Sequence, residues 1–146
     1  VVKFVPILAA LAVGMAVAVQ GPVNTELSRH IGQFRAVLFS VLVTLIIVLA
    51  ILLLGNTPGT FGKIAEAPAW SLVGGTLGVI SLAGIIIAVP RIGVAAATGA
   101  VVAGQVVASA IIDQFGLLGV AVRPLTPGRL AGLALVAVAV ALVTRG

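Results

Sequence analysis

The sequence predicts an all-α integral membrane protein of five transmembrane helices with no soluble domain. Three observations lead there. The chain is 62% hydrophobic and only 8% charged, against about 45–50% and about 25% in an ordinary globular domain. Its mean hydropathy is +1.38, so apolar surface must face lipid as well as neighbouring helices. Its apolar runs are long and unbroken, each near the ~20 residues that cross a ~30 Å hydrocarbon core. A membrane β-barrel would instead alternate over segments of about ten residues.

The first span is expected over residues 4–27. Lys3 followed by an apolar run to Val19, with Ala16-Val17-Ala18 at its end, has the outline of a signal peptide. Four further spans follow, so this run reads as the first membrane helix. Its last part carries Gln20, Gly21, Pro22, Asn24 and Glu26. Pro22 cannot donate a backbone hydrogen bond and is expected to kink the helix. Such breaks survive in a membrane where protein or water satisfies the freed carbonyl. A turn is expected from Ser28 to Gln33. The second span, residues 36–54, is interrupted only by Ser40 and Thr44, which share one face. Gly55-Asn56-Thr57-Pro58-Gly59 reads as a loop, kept in water by Lys63 and Glu66. The third span, residues 70–89, opens on Trp70, a typical interfacial anchor. Its Gly74, Gly75 and Gly78 suit close helix approach. Pro90-Arg91 reads as a tight turn. The fourth span, residues 92–112, contains Gln105 and Ser109 and ends at Asp113. The fifth, residues 127–144, has Thr126 as N-cap and Pro127 as its first helical residue, with Gly128 and Gly132 as a second small-residue pair.

Composition removes several classes of function. Without Cys there is no thiolate metal site, and one His with three carboxylates offers little to a metal. The net charge of +5 is spread singly along the chain, whereas nucleic-acid binding uses a clustered basic patch. No HExxH, GxSxG or other catalytic constellation appears, and no cofactor motif. The chain reads as a non-enzyme.

Polar side chains inside membrane spans are costly, so their positions carry information. Gln20 and Asn24 are spaced i, i+4. Gln105, Ser109 and Asp113 repeat that spacing on the fourth span, with Thr98 one heptad earlier. Two such stripes suit the walls of one cavity, since amides and hydroxyls donate and accept hydrogen bonds and fit a polar organic solute. The plainer reading is that they join helices, at about 0.6–2 kcal/mol each. Asp113 is the candidate for proton or cation coupling; the alternative is a boundary residue paired with Arg123. Glu26 has Arg29 as a ready partner. Glu66 and His30 read as solvated.

These residues also resemble a family. Ala18 to Leu27, Gly74-Gly75-Thr76-Leu77-Gly78, Val89 to Val94, Gly104 to Ser109 and Asp113-Gln114-Phe115-Gly116 are similar to segments of the YdcZ-type proteins of the drug/metabolite transporter superfamily. The resemblance covers nearly the whole chain. It implies a five-helix transporter-like fold in the bacterial inner membrane, related to small multidrug-resistance proteins and to larger ten-helix exporters, with two five-helix units forming the working transporter. It carries over Gln20, Asn24, Gln105 and Ser109 as solute-binding positions and Asp113 as the coupling candidate. The small multidrug-resistance relatives use a carboxylate deep in their first helix; here that region is Gly14-Met15-Ala16, with no acid.

The expectation is a secondary transporter of a small solute, working by alternating access. A small channel and a non-transporting assembly subunit are the alternatives. Loop charges add one more expectation. Lys3, Lys63, Arg123 and Arg129 fall on one side of a five-span topology, and Arg29, Arg35, Arg91 and Arg145 on the other. Orientation follows the Lys/Arg bias of short loops, and four against four selects none. An antiparallel homodimer in the bilayer follows, since it would supply the inverted repeat that alternating access commonly uses.

Overall fold

The computed structural model describes residues 4–55 and 57–145. Lys3 of the charge count, Asn56 of the expected loop and the last residue, Gly146, lie outside them. The described residues are 88% helical, with no strand among them. Five helices among them are long and apolar enough to cross a membrane. They are α1 (Phe4–Ile31), α2 (Gln33–Leu54), α3 (Gly74–Ile92), α4 (Val94–Phe115) and α5 (Pro127–Arg145).

Helix ends follow local chemistry more closely than the hydropathy suggested. Pro22 lies inside α1, which continues to Ile31: a proline removes one ladder bond without ending the helix. Likewise α3 runs through Pro90 to Ile92, and the expected turn at Pro90-Arg91 falls instead on Gly93. The sharp corners are single glycines. Gly32 (φ 87°, ψ 156°) donates its N–H to Ser28 O at 2.8 Å and accepts from Ala36 N–H at 3.0 Å. One residue thus closes α1 and opens α2. Gly93 (φ 79°, ψ 165°) does the same between Val89 O (3.0 Å) and Ala97 N–H (3.1 Å). This region of backbone space is essentially reserved for glycine.

Between α2 and α3 lie two 3₁₀ turns, Phe61–Glu66 and Ala69–Val73. Thr60 Oγ1 caps the first by accepting from Gly62 N–H at 3.2 Å. The second, carrying Trp70, runs straight into α3 and lengthens that span to Ala69–Ile92. Gly116 ends α4 in the left-handed conformation, its N–H donating to Ile112 O, as helix C-termini favour. Thr126 Oγ1 caps α5 by accepting from Arg129 N–H at 3.3 Å, with Pro127 at the first helical position.

The chain divides within α3 into two compact units, Val1–Ile87 and Ala88–Gly146. In the first, α1 packs on α2. Gly21, Asn24 and Thr25 of α1 and Ala36 and Val37 of α2 are buried. In the second, α4 packs on α5, and a Cβ placed on Gly99 would lie 3.6 Å from Val140 Cγ2. Gly99, rather than the GxxxG pairs, is therefore a point of close helix approach. A Cβ on Gly74, Gly75, Gly78, Gly128 or Gly132 would meet nothing within 4 Å. Most large apolar side chains of α1, α2 and α5 are exposed, as lipid-facing residues are, because lipid tails are as apolar as the side chains themselves.

Candidate functional site

The i, i+4 spacing of Gln105, Ser109 and Asp113 puts them on one side of α4, and all three line one cavity of about 440 Å³. Val106 and Ala110 of α4, Leu125, and Arg129, Gly132, Leu133 and Val136 of α5 complete the lining. The apolar part comes from both helices and Leu125, and Gly132 leaves room. Among the described residues neither Gln105 nor Ser109 makes a hydrogen bond to another protein group, and both are exposed. An unpaired amide or hydroxyl at membrane depth is costly unless water or a solute meets it. No aromatic ring lines the cavity.

One end of the cavity is tied by an ion pair. Asp113 Oδ2 accepts from Arg129 Nη2 at 2.7 Å. Arg129 Nη1 also donates to Arg123 O at 2.9 Å, Arg123 N–H donates to Asp113 O at 2.7 Å, and Leu125 N–H to Gln114 Oε1 at 2.6 Å. The left-handed turn at Gly116 folds the following segment back on α4, so Arg123 meets Asp113 through its backbone. The side-chain partner of Asp113 is Arg129, not the expected Arg123. Arg129 had been counted only as a loop charge. The Thr126-Pro127 helix start places Arg129 in the first turn of α5, and the return of the chain after Gly116 brings that turn to Asp113.

Electrostatically this pair is unusual in its placement. Asp113 lies in the last turn of α4, where the helix dipole is partly negative. Arg129 lies in the first turn of α5, where it is partly positive. Each charge sits at the helix end that disfavours it, by about 0.3–1 kcal/mol. Each is compensated by the other, so the end of the cavity is net neutral.

The polar residues of α1 belong to the other unit. Asn24 is buried, and its Oδ1 accepts from Ser40 Oγ at 2.6 Å, joining α1 to α2. Thr44, on the same face as Ser40, donates to Ser40 O at 2.9 Å. Gln20 is exposed, so the two amides of the α1 stripe differ in environment. Thr25, which the spacing argument passed over, is buried and its Oγ1 has no hydrogen-bond partner; the residue reads as ordinary in sequence, and only burial reveals it. Glu26 pairs with Arg29 at 2.8 Å as its spacing suggests, and with His30 Nε2 at 3.4 Å; all three are exposed.

The structure thus gathers Gln105, Ser109 and Asp113 around one cavity in the second unit, while Gln20 and Asn24 lie in the first. No curated protein and no solved structure matches the chain. A family model does match, over residues 5–142, and its description is "Putative inner membrane exporter, YdcZ". With nearly the full length matched and five helices long and apolar enough to span a membrane, the chain belongs to the YdcZ family of multi-pass inner-membrane transport proteins.

Proposed function

We propose that this protein is a secondary transporter that moves a small, net-neutral polar solute by alternating access, with Gln105 and Ser109 as its solute-binding side chains. The observation that carries the reading is the α4 face itself. Its amide and hydroxyl lack protein partners, line a cavity of about 440 Å³, and stand one and two turns from a carboxylate already neutralised by Arg129. Donors and acceptors without net charge suit hydroxyl, carbonyl or amide groups. The absence of a free carboxylate or aromatic wall in this cavity argues against a lipophilic cation, which is recognised by such groups. Asp113 is the coupling residue in this reading: its protonation or its exchange of Arg129 for a cation would release α4 from the start of α5. Gln20 and Asn24 are proposed to belong to the same pathway.

The working unit is proposed to be an antiparallel homodimer. Its support is the even split of loop Lys and Arg residues and the open glycine faces of α3 and α5, where an added Cβ would meet nothing within 4 Å. A screen of neutral hydroxylated and amide-bearing solutes by thermal stability of the detergent-purified protein tests the site, because a bound ligand raises apparent stability in proportion to its affinity. A stabilising solute whose effect is lost in both Gln105→Ala and Ser109→Ala supports the assignment. Stabilisation unchanged by both substitutions refutes it.

A further inference from the structure

The chain contains a repeated corner whose chemistry differs between the copies. The sequence shift that carries Gly32 onto Gly93 also carries the acceptor Ser28 O onto Val89 O and the donor Ala36 onto Ala97. It carries α2 onto α4, both 22 residues long. Burial follows the same shift: Ala36 and Ala97 are 0% and 1% exposed, and Thr25 and Ile86 are 3% and 0%. Asn24 falls on Ile85, and both are buried. At matched positions the two helices carry different faces. In α1 the face is Gly21, Asn24, Thr25 and Ser28, whereas in α3 it is Leu82, Ile85, Ile86 and Val89.

The Gly93 turn forms after an apolar run and the Gly32 turn after a polar one, so the turn itself does not require polar groups. Yet α1 carries them, and one is unsatisfied: Thr25 Oγ1 is fully buried with no partner, a state that disfavours this conformation. Its neighbours are engaged within the protein, Asn24 with Ser40 Oγ and Ser28 Oγ with Thr25 O at 2.7 Å. The group that completes Thr25 is therefore absent from this conformation. We infer that Thr25 is a further solute-binding residue, and that the Asn24–Thr25–Ser28 face of α1 is a water-lined wall of the pathway held closed against α2 in this state. The hydroxyl, as donor and acceptor, fits a hydroxyl, carbonyl or amide of the solute. This inference rests on the transporter reading above.

The Cys-free sequence permits a direct test. Single cysteines are placed at Thr25→Cys and at its apolar counterpart Ile86→Cys, with Ser28→Cys and Val89→Cys as a second matched pair should either of the first fail to fold. Ser109→Cys reports the cavity in the other unit. In proteoliposomes each is treated with a membrane-impermeant methanethiosulfonate from both sides. The cysteine thiolate attacks the reagent's sulfur, forming a mixed disulfide and expelling sulfinate, and the thiolate forms only in contact with water, so Thr25→Cys should react about tenfold or more faster than Ile86→Cys, and Ser28→Cys likewise faster than Val89→Cys. Equal rates within both pairs overturn the inference. If Ser109→Cys reacts while both α1 cysteines remain as slow as their counterparts, the α1 wall is wrong and the cavity reading stands. If the α1 cysteines react and Ser109→Cys does not, the wall stands and the cavity reading fails.

Discussion

Replacing Asp113 by Asn separates a structural tie from a coupling group. The substitution removes the charge and keeps an acceptor where Oδ2 now meets Arg129 Nη2 at 2.7 Å. The side chains are 30% and 40% exposed, so the pair belongs near the upper end of the ~0.2–1 kcal/mol of solvated pairs. Removing a negative charge from the C-terminal turn of α4 returns part of that loss, since the dipole disfavoured it by about 0.3–1 kcal/mol. The net cost is about 1 kcal/mol or less, a fall of about 3 °C in Tm on the scale of chains this size. Arg129→Ala is the contrasting change. It leaves Asp113 unpaired and strips the bond to Arg123 O at 2.9 Å, at a cost of about 2 kcal/mol. Thermal unfolding in detergent reads both, and vesicle uptake reads function. If Asp113 couples, Asn abolishes gradient-driven uptake, spares solute exchange, and lowers Tm only slightly. If Asn lowers Tm as far as Arg129→Ala does, Asp113 is a structural tie. If driven uptake and exchange both survive, coupling does not pass through it, and facilitated transport of a neutral solute replaces the coupled scheme.

The remaining predictions concern the corners, the α1 amide and the assembly. Gly32→Ala and Gly93→Ala force a side chain into backbone space that only glycine occupies readily, and each should cost about 1–3 kcal/mol in thermal unfolding. Gly128→Ala, at which a Cβ meets nothing within 4 Å, should stay within about 0.5 kcal/mol in the monomer; a loss confined to the dimer would identify its contact face. Asn24→Ala removes the 2.6 Å bond to Ser40, at about 1 kcal/mol, and should impair transport more than folding; equal losses of expression and activity mean it only joins α1 to α2. Single cysteines near each end of the chain should be labelled from both faces of sealed cells, and labelling from one face alone excludes dual insertion.

Much of the architecture was legible because the bilayer simplifies the problem. Long apolar runs have one solution, a helix, and the Thr126-Pro127 start of α5 carries its own capping chemistry. The first corner, Gly32, falls within the turn expected from Ser28 to Gln33. The second does not fall at Pro90-Arg91, because a spanning helix tolerates one lost ladder bond, and it lies at Gly93, whose positive φ leaves no mark in hydropathy. The α4 stripe was legible from i, i+4 spacing alone, since three polar residues in an apolar helix stand out. Arg129 was not, because its pairing with Asp113 depends on how the Gly116 turn returns the chain to α4. Thr25 was not, because its significance is the lack of a partner, which only packing can show.

Counterflow in proteoliposomes tests the central claim most directly. Vesicles containing the purified protein are loaded with the solute that best stabilises it, diluted, and given a trace of the same solute with a label outside. An alternating-access carrier with its site on the Gln105–Ser109 face predicts transient, saturable accumulation of label above equilibrium, lost when Gln105 and Ser109 are both replaced by Ala. Label that only equilibrates, in proportion to concentration and without overshoot, would contradict the account and describe a channel; no entry beyond protein-free vesicles would deny transport of that solute altogether.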